Sequence, residues 1–411
     1  MENVLAIIGE YNPFHNGHLY HLNQSIEQSE ANYTILVMSG NYVQRGNCAL
    51  IDKWKRTEMA IQNGIDLVIE LPVLYSISSA ENFAYGAVKL LDSLKIVDFL
   101  SFGSECGNLD ILSEFADVFT NEPPEYQSLL KHELSKGISF PKARENAALL
   151  YLNDIRKYSN ILNSPNNTLG IEYLKALKHT HSSIKPLTIK RHSVTYNSLD
   201  SINGFASATA IREMILNGDY DNLFSVVPQS SYEILLEALR SGEFVTGLEC
   251  FEKEILFILR CLSREDIRDL PLVSEGLENN IKDAASNCNS LEELINRVKS
   301  KRFTRTRIQR ILLYALLGYT KEDLELLNKN TPYVRILGFN QNGKDLLSMI
   351  SKSNKKLDVI TSVKQYEENC KNKKLLDIVQ KDILSTDIYT LGYRQNSKAN
   401  LDYTQKIFIN I

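Results

Sequence analysis

An α/β protein is expected here: a doubly wound parallel sheet followed by a mainly helical C-terminal region. Three observations carry that expectation. Apolar runs at 4–8, 33–38, 67–71 and 96–103 have the near-continuous hydrophobicity of strands buried on both faces. Helical patterns at about 17–29, 53–63, 80–95 and 108–120 alternate with them, the βαβα rhythm of a parallel sheet. Beyond about residue 225 the apolar spacing reads as helix after helix.

Taken in order, the rhythm holds until Asn121-Glu122-Pro123-Pro124-Glu125, which breaks it. Residues 126–180 then read as mostly helical, an insertion rather than another βα unit. The sheet resumes with Leu187-Thr188-Ile189-Lys190-Arg191, and a helix begins near Ala208. Helices follow at 230–240, 249–263, 265–270, 291–317 and 321–328, and short strands near 333–338 and 357–361. The expected division is residues 1–225, with the insertion at about 121–180, and 226–411.

Composition narrows the class. The chain is 43% hydrophobic and 23% charged, ordinary for a protein with a well-formed core. Its net charge is −4, so a nucleic-acid partner requires a local basic patch. Cysteines 48, 106, 250, 261, 288 and 370 follow no CxxC or regular spacing and read as reduced thiols. No stretch approaches the ~20 apolar residues of a membrane helix; the longest candidate, 65–80, is broken by Asp66, Glu70 and Pro72. The expectation is a soluble cytoplasmic protein with no membrane partner.

Three of the seven histidines, His15, His18 and His21, fall at helical spacing just after the first apolar run. Ligands on doubly wound sheets bind at the strands' carboxyl ends. A helix starting near Asn16 offers unpaired N–H groups and a positive dipole end there, a ready anion site. Gly17 allows close approach to the backbone, and Pro13 stiffens the preceding turn. HxxH spacing also suits zinc, but a nearby third ligand and the glutamate of H-E-x-x-H are missing. Nucleotide phosphate is the preferred ligand, with no tightly bound metal.

His15-Asn16-Gly17-His18 resembles the HxGH signature of the nucleotidyltransferase superfamily that includes the class I aminoacyl-tRNA synthetases. The resemblance implies a HIGH-type domain in which the two histidines stabilise the β- and γ-phosphates while a nucleophile attacks the α-phosphate. Ser207-Ala208-Thr209-Ala210-Ile211-Arg212 resembles the superfamily's late S-x-T-x-I-R element. Ser207, Thr209 and Arg212 would then hold the triphosphate from the other side; alone, Ser-x-Thr before a helix reads as N-capping. The synthetases' K-M-S-K-S loop is absent.

Six further strings, "EYNPFHNGHLYH", "SGNYVQRG", "DLVIELP", "FGSE", "NNTLGIEYLKAL" and "RTRIQR", together resemble the bacterial tRNA(Met) cytidine acetate ligases along essentially the whole chain. That family implies acetyl-adenylate formation from ATP, carried with Mg2+, and acetate. The acetyl group then passes to N4 of the wobble cytidine of elongator tRNA(Met), without acetyl-coenzyme A. The ATP stretch maps onto Ile8-Gly9-Glu10-Tyr11-Asn12-Pro13-Phe14-His15-Asn16-Gly17-His18-Leu19-Tyr20-His21. Gly103, Asn166, Arg191 and His192 would complete the pocket. Asn166 also suits an Asx turn, and the choice between it and Asn167 stays open. The loop from His192 through "SVTYNS" is less glycine-rich than the family pattern.

Acetate carries a full charge and must approach an anionic nucleotide. Catalysis is therefore assigned to His15, His18 and a cationic clamp, Arg45, in a loop bracketed by Gly40 and Gly46 that would suit close backbone approach or a mobile lid. Residues 297–310 hold seven Lys or Arg and no acid. Lys301, Arg302, Arg305, Arg307 and Arg310 are the candidate tRNA contacts, extended weakly by Lys352, Lys355, Lys356, Lys371, Lys373 and Lys374. Tyr314, Tyr333 or Tyr389 would stack on splayed bases. No DNA partner is expected. Two other functions fit parts of the pattern, a small-molecule adenylyltransferase and a non-catalytic RNA-binding protein.

Overall fold

The computed structural model describes residues 2–191 and 204–411. Ten strands run in chain order: β1 (Asn3–Gly9), β2 (Ala31–Ser39), β3 (Tyr42–Val43), β4 (Asn47–Cys48), β5 (Leu67–Leu71), β6 (Phe99–Ser104), β7 (Lys185–Lys190), β8 (Val334–Asn340), β9 (Val359–Ile360) and β10 (Phe408–Asn410). Eight form one sheet in the order β10-β8-β5-β2-β1-β6-β7, with β9 also on β8. The β5–β2–β1–β6–β7 block is wholly parallel.

β8 pairs antiparallel with β5, which makes the sheet mixed rather than parallel throughout. An antiparallel strand on the edge of a parallel block is a known solution. The segment expected as a short C-terminal strand thus completes the sheet of the first half. The division near 225 therefore does not separate two sheets. The apolar run read as one helix over 291–317 is two helices, Leu291–Val298 and Arg305–Leu317. Thr304 caps the second by accepting from the Arg307 amide at 3.3 Å, so the chain restarts there. The helix Leu277–Asn287 was not expected, and neither was the β3–β4 hairpin, whose strands are two residues each.

Strand periodicity distributes the core. Val4, Ala6, Ile8, Ile35, Val37, Leu67 and Ile69 bury one face, with apolar residues of the helices Ala80–Leu94, Leu109–Asn121 and Pro165–His179. Ile7, Leu36, Met38 and Val68 bury the other, with residues of α1 (Asn16–Ser29), α2 (Lys53–Gln62) and the helices Ala208–Asn217 and Gln229–Ser241. The insertion is helical, as expected. Among the described residues no helix is long and apolar enough to cross a membrane.

The C-terminal region is fastened to this sheet by buried charge. Lys53 of α2 lies 2.9 Å from both Glu70 carboxylate oxygens on β5 and 2.9 Å from Asp402. Arg335 of β8 reaches Glu70 at 3.4 Å and bonds Asp402. Two cations face two carboxylates, all buried, and Tyr319 and Tyr333 donate to the neighbouring buried Asp382. A Cβ at Gly40 would lie 2.4 Å from Glu70 Oε1, so glycine there serves this carboxylate's approach. Removing one member leaves an uncompensated buried charge. Lys53→Met is expected to cost about 3–5 kcal/mol of stability, read as a lowered urea midpoint at unchanged slope; an unaltered midpoint would contradict the network's role.

Candidate active site

The candidate site forms where β1 and β2 end. α1 begins with His15 at its N-cap, in extended conformation. His15 Nδ1 accepts from the Gly17 amide at 3.0 Å, and His18 Nδ1 accepts from the His15 amide at 3.3 Å. The two histidines thus make a reciprocal capping box, a job ordinarily given to Ser/Thr and Glu. Because each Nδ1 is an acceptor, each neutral ring carries its proton on Nε2 and keeps one N–H donor in reserve. The rings stack with centroids 3.7 Å apart. Tyr11 packs on His18 and Phe14 edge-on against Tyr11, walling the pair from behind. A Cβ on Gly17 would come within 2.9 Å of the His15 ring, which is a second reason for glycine there.

All three histidines are held neutral. Burial, then the charges of Arg191 and Arg212, lower the His15 pKa to about 3. Burial and the neighbouring His15 push His18 well below its usual value. Burial and Arg191 take His21 to about 4. His21 Nε2 lies 3.1 Å from Ser101 Oγ, itself 2.7 Å from Ser25 Oγ, so this ring is tied down from the sheet side.

The late motif is locked onto the early one. Ser207 caps its helix by accepting from the Ala210 amide at 3.1 Å. Arg212 donates to the Asn12 carbonyl at 2.9 Å and to Thr209 Oγ1 at 3.1 Å. Asn16 Nδ2 donates to the carbonyls of Gly204 and Ser225 at 2.9 and 3.1 Å. Residues nearly two hundred positions apart therefore meet, as their order in the chain suggested. Arg191 lays its stem over Gly103, whose Cβ would sit 3.2 Å from Arg191 Cγ. Asn12 accepts from the Leu50 amide at 2.8 Å, Tyr20 meets Phe205 edge-on, and Leu19 packs against the core. His192 lies outside the described residues.

The two asparagines part company. Asn167 is buried; it accepts from the Cys106 amide at 3.0 Å and donates to the Ile161 carbonyl at 3.1 Å. Asn166 is half-buried and donates to Glu105 at 2.7 Å. Glu105, the last residue of "FGSE", had no role assignable from sequence; it caps the helix Pro165–His179 through the Asn167 amide at 2.8 Å. Arg56 was missed entirely. Its guanidinium is wholly buried and donates to the carbonyls of Glu10, Ser39 and Ile51 at 2.7, 2.9 and 3.0 Å, and also to Gly40. Nothing in "KWKR" separates it from surface arginines.

Arg45 is exposed at the turn of the β3–β4 hairpin. Of the two expectations for this loop, close backbone approach is the one seen: Glu10 Oε1 accepts from the Gln44 amide at 2.9 Å, and Arg310 Nε donates to the Gln44 carbonyl at 2.8 Å. The basic segment is divided in its contacts. Lys301 and Arg302 are exposed. Arg305 pairs with Glu292 at 2.7 Å, and Arg307 donates to the Leu272 carbonyl at 2.8 Å. Among the described residues no group of three His, Cys, Asp or Glu side chains is placed to hold a metal ion.

Neutral N–H donors, a helix N-terminus and two guanidiniums at one strand end suit an oligophosphate. The free protein bears a cost for those neutral rings. As pH falls from 6.5, the unfolded histidines take up protons and the folded ones do not, so stability falls until the native values near 3–4 are reached. His15→Asn keeps a cap acceptor; between pH 6.5 and 4.5 it should lose less stability than the parent, by on the order of 2 kcal/mol. Equal losses in urea titrations at the two pH values would refute this.

Comparison with known proteins supplies context for this geometry. A family model described as HIGH Nucleotidyl Transferase matches residues 1–404. A tRNA(Met) cytidine acetate ligase of Thermoanaerobacter sp. (strain X514) is 48% identical over 400 residues, 97% of this chain and 98% of that protein. The protein of the same name from Caldanaerobacter subterraneus subsp. tengcongensis is 46% identical over 403 residues, 98% of each chain. The crystal structure of Thermotoga maritima TmcAL bound with alpha-thio ATP superposes with a TM-score of 0.90 at 34% identity, covering 100% of both chains. Its apo form gives 0.92 at 34% identity over 99% of each.

Proposed function

This chain belongs to the tRNA(Met) cytidine acetate ligases, within the HIGH nucleotidyltransferase family, and we propose that it acetylates the wobble cytidine of elongator tRNA(Met) at N4, using ATP and acetate. The observation that carries this reading is the stacked His15–His18 pair capping the N-terminus of α1, with Arg212 bonded to the Asn12 carbonyl beside it. ATP enters with Mg2+ as the substrate complex.

In the first half-reaction a carboxylate oxygen of acetate attacks the α-phosphorus. The bond to the bridging oxygen breaks, and pyrophosphate leaves carrying the new negative charge. His15 and His18 meet that charge with Nε2–H donors, and Arg212 with Ser207 and Thr209 meets it from the opposite side. A ring kept neutral needs no counterion before ATP arrives, and with its Nδ1 accepting from a backbone amide it offers Nε2–H to the phosphates without gaining a proton. Arg191 and Gly103 frame the nucleotide, and Arg45 offsets the repulsion between acetate and the phosphates. In the second half-reaction the cytidine N4 amine attacks the acyl carbon of acetyl-adenylate. AMP departs, the amine loses a proton, and N4-acetylcytidine is formed. The acyl carbon is already activated, so holding the amine close supplies most of the needed acceleration.

Acetate-dependent exchange of pyrophosphate into ATP isolates the first step. His18→Ala should lower that exchange by ~10²–10³, and wild-type enzyme without acetate should show none. Acetate-independent adenylylation of another small acceptor would sink the reading. Lys301→Ala with Arg302→Ala should weaken tRNA binding and flatten its log–log salt dependence by about 0.9 for each phosphate no longer neutralised, measured by filter binding across a salt series.

A further inference from the structure

Arg310 was expected among the tRNA contacts, yet its side chain is spent on the loop beside the nucleotide site. It stands on the helix Arg305–Leu317. Its Nε donates to the Gln44 carbonyl at 2.8 Å, and its second guanidinium nitrogen lies 3.1 Å from the Gln44 amide oxygen when that amide is turned to accept. In that orientation the same oxygen is 3.2 Å from the Ala80 amide. Two residues along, Gly46 has φ +75°, and a Cβ there would lie 2.6 Å from the Arg310 amide nitrogen. The turn and the helix are thus in backbone contact. From the other side Glu10, directly after β1, accepts from the Gln44 amide at 2.9 Å. One turn further along the same helix Tyr314 lies 2.9 Å from Ser78 Oγ and donates to the Leu74 carbonyl at 3.2 Å, so the helix itself cannot drift.

We infer that Arg310 is a positioning residue, whose fork holds the Gln44–Gly46 turn against Glu10 and so sets where Arg45 stands relative to the triphosphate. A guanidinium suits this task because its donors lie in one rigid plane and engage two acceptors of one residue at once. An ammonium reaches one. Arg310 therefore acts in the adenylation half-reaction rather than in RNA affinity. The inference rests on the acetate ligase reading for its kinetic consequence, though not for its structural one.

Two measurements on the full chain test it. In Arg310→Gln, acetate-dependent exchange should fall about ten- to hundredfold, as sub-ångström misplacement of a charged group does. KM for ATP and tRNA affinity should each move less than about threefold, and Arg310→Lys should recover part of the rate. Gly46→Ala, which forces the turn away with Arg310 intact, should reproduce the defect. Hydrogen exchange of the 40–48 segment, read by mass spectrometry on the protein without ligands, should quicken in both Arg310→Gln and Gly46→Ala at unchanged melting behaviour elsewhere. Unchanged exchange in that segment overturns the inference. So does full exchange activity accompanied by a loss of tRNA affinity, which would make Arg310 a phosphate contact. A wild-type enzyme without acetate-dependent activity would defeat the acetate ligase reading instead, and the hydrogen-exchange result would still decide the role of Arg310.

Discussion

The guanidinium of Arg56 holds the carboxyl ends of β1 and β2 in register with the start of α2. It is wholly buried and donates to main-chain carbonyls of Glu10, Ser39, Gly40 and Ile51. Strand ends leave such carbonyls unpaired, and an unpaired buried carbonyl costs as much as a lost hydrogen bond. One planar cation satisfies four of them and fixes the geometry of two loops at once. The phosphate loop leaves from Glu10 and the Arg45 turn from Gly40, so both halves of the site are referred to one side chain. The balanced Lys53–Glu70–Arg335–Asp402 cluster lies at the same end of the sheet and secures the C-terminal strands to it.

Charge is managed differently on the two sides of the site. The arginines are permanent cations, while the histidines are forced to stay neutral by burial and by those same arginines. Their Nδ1 atoms are spent on backbone amides at the helix start, which settles the tautomer without a carboxylate partner. The outcome is a set of neutral Nε2–H donors whose tautomer is fixed by the start of the helix. The helix N-terminus, the fixed tautomer and the lowered pKa together make a neutral donor site suited to an anion.

How much of this could be read from the residues is best judged case by case. Four of the five parallel strands were legible because each is a near-continuous apolar run, β7 only as the short Leu187–Arg191 stretch where the sheet resumes, and their helices because each is amphipathic. The His15–His18 pair and the Ser207–Arg212 element were legible as helix starts because their residue types cap the helices they begin. Arg310 reads as a member of a basic surface, since a run of cations looks alike whether its guanidiniums face solvent or, as here, fold back onto a carbonyl. Arg56 and Lys53 lie in an amphipathic helix among other cations, and nothing local distinguishes a buried one. Glu105 had no visible function in "FGSE" until the helix Pro165–His179 was seen to begin above it.

By itself the sequence determined the local periodicities, the caps and the chain order of the His15–His18 and Ser207–Arg212 helix starts, because these depend on neighbours within a few positions. The antiparallel entry of β8, the four-charge cluster and the bracing of the Arg45 turn by Glu10 and Arg310 were decided only in three dimensions. Each joins residues tens to hundreds of positions apart. Their energetics rest on burial and on partners brought together by packing, and a linear string records neither.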